Sequence, residues 1–213
     1  MTKRLSDLRK KYHFTSLQED SVTSDPLQQF KVWFKEALKS GTEEPNAMVL
    51  STADPEGNVS ARVVLLKGID QGGFVFFTNY HSRKGMQIES NPKAALTFHW
   101  QGIERQIRVE GVIKKTSRKE SETYFNSRPA DNRVSTCISP QSSVIPDREF
   151  LESMREGFIL DLEGAVPQCP PDWGGYRLKP TLVEFWQGRA HRLHDRIQYR
   201  KSGKKWIVER LAP

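Results

Sequence analysis

Between residues 47 and 115 the chain is a series of short apolar runs cut by turn-forming residues, and this pattern constrains its fold more than any other feature. Residues 47–53 meet the turn Asp54-Pro55-Glu56-Gly57-Asn58, and 59–67 follow, with Val63-Val64-Leu65-Leu66 at their centre. Gly72-Gly73 precedes 74–78, and 93–100 with 104–115 read as a hairpin around Gln101-Gly102. Further strands are expected at 176–178, 181–187, 191–200 and 205–210, the last two joined by a Ser-Gly-Lys turn.

Helices fall around these runs. Ser24 or Asp25 is placed to cap a helix with Pro26 in its first turn. Leu27, Phe30, Phe34, Ala37 and Leu38 recur at helical spacing, and Gly41 can end it. Ser82 caps a short helix stopped by Pro92, and Ser117 with Glu120 has capping-box spacing for a helix ending near Pro129. Residues 147–162 read as another helix. Residues 1–24 read as a partly flexible arm, and 25–213 as one domain. The order implies an α+β chain built on an antiparallel sheet or small barrel. With no GxGxxG, no P-loop lysine motif and no regular β–α alternation, a doubly wound nucleotide fold is disfavoured.

The net charge of +7 draws anions: nucleic acid, membrane surfaces or phosphorylated small molecules. The basic residues are dispersed and form no recognition motif, which argues against nucleic acid as the partner. No apolar run approaches the roughly 20 residues a membrane span needs, and the charged N-terminus lacks a signal-like apolar stretch, so no membrane partner is expected. Two cysteines, Cys137 and Cys169, have no CxxC spacing, which fits a reducing cytoplasm and gives no metal site.

Four segments concentrate polar chemistry. In the first, Phe185-Trp186-Gln187-Gly188 leads to His191-Arg192-Leu193-His194-Asp195-Arg196. Strand alternation would put Arg192, His194 and Arg196 on one face, either as a solvated basic strand or around an anionic or electron-rich ligand. In the second, Arg62 and Lys67 flank an apolar run. Being five apart, they share a ligand only if the strand twists or ends between them. In the third, Thr78-Asn79-Tyr80-His81-Ser82-Arg83-Lys84 joins a strand end to a helix start, where a hydroxyl, a guanidinium and an ammonium suit a phosphate. In the fourth, Tyr124 and Arg128 are one helical turn apart and can hold a second phosphate or simply end a helix. Gln141-Ser142-Ser143 adds loop polarity. No GxSxG, HExxH or thiol–histidine set appears, so an enzyme here would rely on an organic cofactor.

Taken together these segments resemble the pyridoxamine-phosphate oxidase family over nearly the whole chain. The likeness runs through Leu8-Arg9-Lys10-Lys11-Tyr12, Arg62 to Lys67, Ser82-Arg83-Lys84, Glu104-Arg105-Gln106, Ser127-Arg128-Pro129, Gln141-Ser142-Ser143 and Trp173-Gly174-Gly175. It closes with Glu184-Phe185-Trp186-Gln187-Gly188, Arg192-Leu193-His194-Asp195-Arg196 and Arg210-Leu211-Ala212-Pro213. The resemblance implies an FMN-binding split β-barrel with peripheral helices, working as a homodimer with FMN at the interface. It implies oxidation of pyridoxine or pyridoxamine 5′-phosphate to pyridoxal 5′-phosphate by hydride transfer from C4′ to flavin N5, with O2 reduced to hydrogen peroxide. For FMN it implies contacts from Arg62, Val63, Val64, Leu65, Leu66, Lys67, Phe77, Thr78, Arg83, Lys84, Gln106, Gln141, Ser142, Trp186 and Arg196. For the substrate phosphate it implies Lys67, Tyr124 and Arg128. Arg192 and His194 would lie by the reacting ring, and Arg9 and Tyr12 in an arm over the substrate. Asn132 stands where the family usually has a phosphate-binding serine, and its amide can still donate. Arg189 adds a charge in a stretch that varies. The rivals are another split-barrel flavoprotein, which needs no Tyr124/Arg128 and Arg192/His194 sets, and a flavin-free nucleic-acid module.

Overall fold

The computed structural model describes Arg4, Tyr12 and residues 16–213. Among these residues, five α-helices, α1 (Pro26–Lys39), α2 (Arg83–Ser90), α3 (Arg118–Asn126), α4 (Ala130–Ile138) and α5 (Arg148–Asp161), accompany nine strands. The strands are β1 (Ala47–Ala53), β2 (Val59–Leu65), β3 (Gly68–Asp70), β4 (Gly73–Asn79), β5 (Lys93–Trp100), β6 (Arg105–Lys115), β7 (Trp173–Gln187), β8 (Asp195–Ser202) and β9 (Lys205–Arg210). They hydrogen-bond in the order β2-β1-β5-β6-β7-β4-β3, with β8 also on β7 and β9 on β8. This is the antiparallel α+β architecture expected. Among the described residues no helix is long and apolar enough to cross a membrane.

The chain divides into two compact units. The first holds Met1–Val49, Ala95–Glu110 and Pro180–Pro213. Its α1 starts as the residues dictate: the Asp25 side chain accepts from Leu27 N, and Pro26 occupies the first turn. The buried face differs from the expected one. It is Phe30, Trp33 and Ala37, whereas Leu38 is 56% exposed. Trp33 replaces Leu38 because its ring meets Phe185 edge-on at 5.1 Å and carries the Arg105 guanidinium at 4.2 Å on its face. Phe30 packs edge-on against Phe98 at 4.9 Å. Each such burial contributes on the order of 2 kcal/mol.

The second unit is Leu50–Ala94 and Gly111–Lys179. Its centre is β4, read by register against β7: Phe74 opposite Leu178, Phe76 opposite Tyr176 and Thr78 opposite Gly174. Arg177, 6% exposed, is held by Asp70 (2.7 Å) and Glu120 (2.6 Å), so its buried charge is doubly paired. Ser82 caps α2 by accepting from Gly85 N at 3.3 Å, and a Cβ at Gly85 would sit 2.1 Å from the Tyr80 carbonyl oxygen. Only glycine lets this helix start so close to the preceding loop. Ser117 and Glu120 form the expected capping box of α3. Cys137 and Cys169 are both free and half-buried, and burial pushes both thiol pKa values up.

Three further expectations are corrected. α4 was not foreseen; it begins at Pro129 with no side-chain cap, so no local signal marks it. Residues 176–178 and 181–187 are one strand, β7, running through Pro180. Residues 173–178 pair with β4 and 182–187 with β8, so Pro180, which has no N–H, falls between the two ladders. The strand expected at 191–200 begins only at Asp195; residues 190–192 form a tight 3-10 turn.

Candidate functional site

A cavity of about 450 Å3 opens in the second unit where β2 and β4 end and α2, α3 and α4 begin or end. Arg62, Val63, Val64, Leu65 and Lys67 form one side of it. β2 stops at Leu65, between the two cations, so strict alternation no longer separates them and both reach the same cavity. Phe77, Thr78 and Lys84 form the floor near the α2 start, and Tyr124, Arg128, Asn132 and Gln141 the remainder. Thr136 and Trp173 also line it.

Charge in this cavity is one-sided. Arg62, Lys67, Lys84 and Arg128 line it, and among the described residues no Asp or Glu does. None of the four takes part in an ion pair among the described residues. Arg62, Lys84 and Arg128 are held instead by neutral acceptors. Arg62 donates to Leu50 O (3.1 Å), Thr52 Oγ1 (2.7 Å) and Ser60 Oγ. Lys84 Nζ donates to Thr78 Oγ1 (3.1 Å), Gln141 Oε1 (3.2 Å) and Ser82 Oγ (3.3 Å). Burial, and then the Arg62 charge, lower the Lys84 pKa to about 8. Burial lowers the Arg62 pKa too, with Arg83 the second cause. Cations buried beside one another without a carboxylate are stabilised by an incoming anion.

The opposite wall is aromatic. Phe77 and Tyr124 stack at 4.0 Å, and Trp173 stacks with both, at 5.5 and 6.2 Å. Arg128 lies over the Trp173 ring at 5.1 Å and donates to Thr136 Oγ1 at 2.5 Å, while burial lowers its pKa. A cation cluster beside flat rings suits a ligand that is both phosphorylated and planar.

The first unit carries a separate cluster. Tyr12 meets Trp186 edge-on at 5.8 Å and His194 at 5.1 Å, and Trp186 and His194 lie 4.6 Å apart. Gly188 sits beneath Tyr12; a Cβ there would be 2.4 Å from Tyr12 Cδ1. Alternation puts Arg192, His194 and Arg196 on one strand face, but Arg192 and His194 are not on a strand. They lie in the turn before β8, where His191 (φ 57) and Arg192 (φ 62) are left-handed. His194 Nδ1 accepts from Arg189 N at 3.1 Å. Burial and then Arg192 lower the His194 pKa, while Asp195 opposes them. Arg196 is engaged internally: Nε donates to Glu184 Oε1 (2.8 Å), Nη2 to Oε2 (3.2 Å) and Nη1 to Ala212 O (2.7 Å). Gln106 lies half-buried on β6.

The remaining anticipated residues are not among those that line the cavity. Leu66 is buried, Arg83 is exposed as the first residue of α2, and Ser142 is exposed with φ 74. Arg9 lies outside the described residues. Sequence reasoning missed Thr52 and Ser60, which hold Arg62, and Glu184, which holds Arg196. Short polar side chains on strands give no local signal. Trp173 was visible as part of Trp173-Gly174-Gly175 but was given no place in the site. A second cavity of about 460 Å3 holds none of the anticipated residues, and its Lys115 is paired with Glu89 at 2.9 Å.

Comparison with known proteins identifies the family. The family described as pyridoxamine 5′-phosphate oxidase matches residues 34–157. The pyridoxine 5′-phosphate oxidase C-terminal dimerisation region matches residues 173–213. A pyridoxine/pyridoxamine 5′-phosphate oxidase of Polynucleobacter asymbioticus is 52% identical, covering 98% of this chain and 99% of the relative. Another, of Cupriavidus necator, is 53% identical over 99% of both. The crystal structure of PhzG from Burkholderia lata with tetrahydrophenazine-1-carboxylic acid superposes with a TM-score of 0.89 at 30% identity, covering 96% of this chain and 100% of that one. A pyridoxamine 5′-phosphate oxidase-related, FMN binding protein from Nostoc punctiforme shares the fold, with a TM-score of 0.72 at 17% identity over 93% of this chain and 100% of that one.

Proposed function

The chain belongs to the pyridoxamine 5′-phosphate oxidase family, and from that premise we propose that it is an FMN-dependent oxidase of phosphorylated B6 vitamers. It converts pyridoxine 5′-phosphate and pyridoxamine 5′-phosphate to pyridoxal 5′-phosphate, with O2 reduced to hydrogen peroxide. It acts as a single catalytic domain over residues 25–213, in a cytoplasmic homodimer with FMN at the interface; the match of 173–213 to a dimerisation region supports the dimer. The observation that carries the reading is the cavity lined by four cations and no carboxylate beside three stacked aromatic rings. The donor set fits FMN, whose phosphate needs cations and hydrogen-bond donors and whose ring system needs a flat, partly apolar wall.

When bound, FMN supplies the hydride acceptor for the substrate C4′ carbon and a route for the electrons to O2. The chain does the rest. Arg62, Arg83 and Lys84, with Gln141 and Ser142, hold the cofactor phosphate. Thr78 orients Lys84 and Gln141 by bonding to both. Residues 63–66 and Phe77 line the cofactor site, and Gln106, Trp186 and Arg196 complete it. Lys67, Tyr124, Arg128 and Asn132 grip the substrate phosphate, which makes the reaction effectively intramolecular. Arg192 and His194 face the reacting ring, and Arg9 and Tyr12 cover it and exclude water. The ligand named for PhzG carries no phosphate, whereas the Lys67/Arg128 end of this cavity offers one a place.

The test is an absorbance spectrum of the purified protein before and after anaerobic addition of pyridoxine 5′-phosphate. A flavin band that bleaches and returns with air is expected. A band that ignores the substrate would instead indicate another split-barrel flavoenzyme, and failure to bind added FMN would defeat the reading.

A further inference from the structure

We propose that the main-chain N–H of Arg189 locks His194 as the neutral tautomer with its proton on Nε2, so that His194 meets the substrate as a hydrogen-bond donor and not as a base. This rests on the placement of His194 beside the reacting ring. A nitrogen that accepts an N–H bond presents its lone pair to that bond, and in a neutral imidazole the proton is then on the other nitrogen. Here the acceptor is Nδ1 and the donor Arg189 N, at 3.1 Å.

The turn that makes this bond is held against a conformational cost. His191 and Arg192 are consecutive non-glycine residues in the left-handed region, at φ 57 and 62, which L side chains rarely adopt. A Leu193 N to Ala190 O bond of 3.2 Å closes the turn and returns His194 to Arg189. Tyr12 and Trp186 then fix the ring plane from two sides.

The surroundings oppose a second proton. A histidine that serves as a base commonly has a carboxylate on its Nδ1–H, which stabilises the imidazolium. The nearby carboxylate, Asp195, is committed elsewhere: to Arg210 Nη1 and Leu17 N, each at 3.0 Å, and to Arg189 Nε at 3.5 Å. Among the described residues, the charged groups about His194 are therefore the cations Arg192 and Arg189 and an already paired Asp195. Protonating Nδ1 would also destroy the Arg189 bond. The consequence is mechanistic: Nε2 carries its proton and has no lone pair to offer, so the proton lost from the substrate alcohol or amine leaves by another acceptor, such as water. Arg189 acts through its backbone and is a positioning residue.

The test uses full-length, FMN-loaded protein labelled with 15N-histidine, read by two-bond proton–nitrogen correlation. Loss of one of the five histidine patterns in His194→Gln identifies the residue. The expected pattern at pH 7 is a pyridine-like Nδ1 and a pyrrole-like Nε2, persisting below the ordinary histidine pKa of about 6.5. A pyrrole-like Nδ1, an averaged pair or an imidazolium at pH 7 overturns the proposal. Arg189→Ala keeps the N–H and should leave the pattern unchanged, whereas Arg189→Pro removes it and should average the two nitrogens. An unchanged pattern in Arg189→Pro refutes the lock. Should that variant not fold, the wild-type and Arg189→Ala spectra still decide. Anaerobic addition of substrate should move the Nε2 signal; an intact tautomer with no such movement would defeat the placement beside the substrate and leave the lock standing.

Discussion

With Lys84 on the FMN phosphate, as proposed, FMN binding should take up a proton above neutral pH. The Lys84 pKa lies near 8 because burial and Arg62 disfavour the ammonium. A phosphate dianion placed against it removes that penalty and returns the pKa to at least the ordinary lysine value of about 10.4. The fraction of free protein lacking the proton is then filled on binding: about 0.1 proton at pH 7, about 0.5 at pH 8 and about 0.75 at pH 8.5. The FMN phosphate, with a second pKa of about 6, is already a dianion over this range. Calorimetric titration of apoprotein with FMN at pH 8, in buffers of different ionisation enthalpy, reads the proton count as a slope. Lys84→Met should abolish the slope and weaken FMN about 10- to 150-fold, the loss of one charge-assisted bond of about 1.5–3 kcal/mol. The stability of the apoprotein carries the opposite sign. Its unfolded form binds the Lys84 proton more tightly, so the penalty this residue places on folding is relieved as pH rises from about 8 towards the usual lysine value. A wild-type slope of zero at pH 8, or an undiminished slope in Lys84→Met, would refute the argument.

Three other perturbations separate the parts of the site. Arg128→Ala should raise KM for pyridoxine 5′-phosphate at least tenfold, since a charge-assisted phosphate contact is lost, while FMN remains bound; steady-state kinetics with a flavin spectrum reads both. Gly188→Ala would place a Cβ 2.4 Å from Tyr12 Cδ1 and expel that ring from its two edge contacts, at about 1–3 kcal/mol in total. KM should rise and the urea midpoint should fall by an amount that matches the lost contacts; an unaltered KM would show that Tyr12 plays no part in holding substrate. Glu184→Ala leaves Arg196 and Arg108 without their shared, 3% exposed carboxylate, and should cost on the order of 3 kcal/mol in denaturant unfolding; a loss under about 1 kcal/mol would mean that solvent replaces it.

What could be read from the residues alone follows the range of the interactions concerned. Asp25, Ser82 and Ser117 announce helix starts because their side chains satisfy N–H groups two or three residues away. The turns at 54–58 and 101–102 are equally local. α4 escaped notice because Pro129 offers no side-chain cap and the helix has one fully buried residue, Val134. Leu38 and Trp33 compete for one face of α1, and the winner is set by Phe185 and Arg105, far away in sequence. At the cavity, the four cations were visible but their common wall was not, since it depends on β2 ending at Leu65. The turn at 190–194 was misread as strand because nothing in His191 or Arg192 signals a left-handed backbone; the surrounding fold imposes it.

The two half-buried thiols acquire a meaning from the chemistry proposed beside them. An oxidase that releases one peroxide per turnover bathes its own sulfur atoms in oxidant. Peroxide attacks thiolate far faster than thiol. Burial holds the Cys137 and Cys169 pKa values up, so at neutral pH both remain almost wholly protonated. The raised pKa values thus keep both cysteines in their less reactive, protonated form.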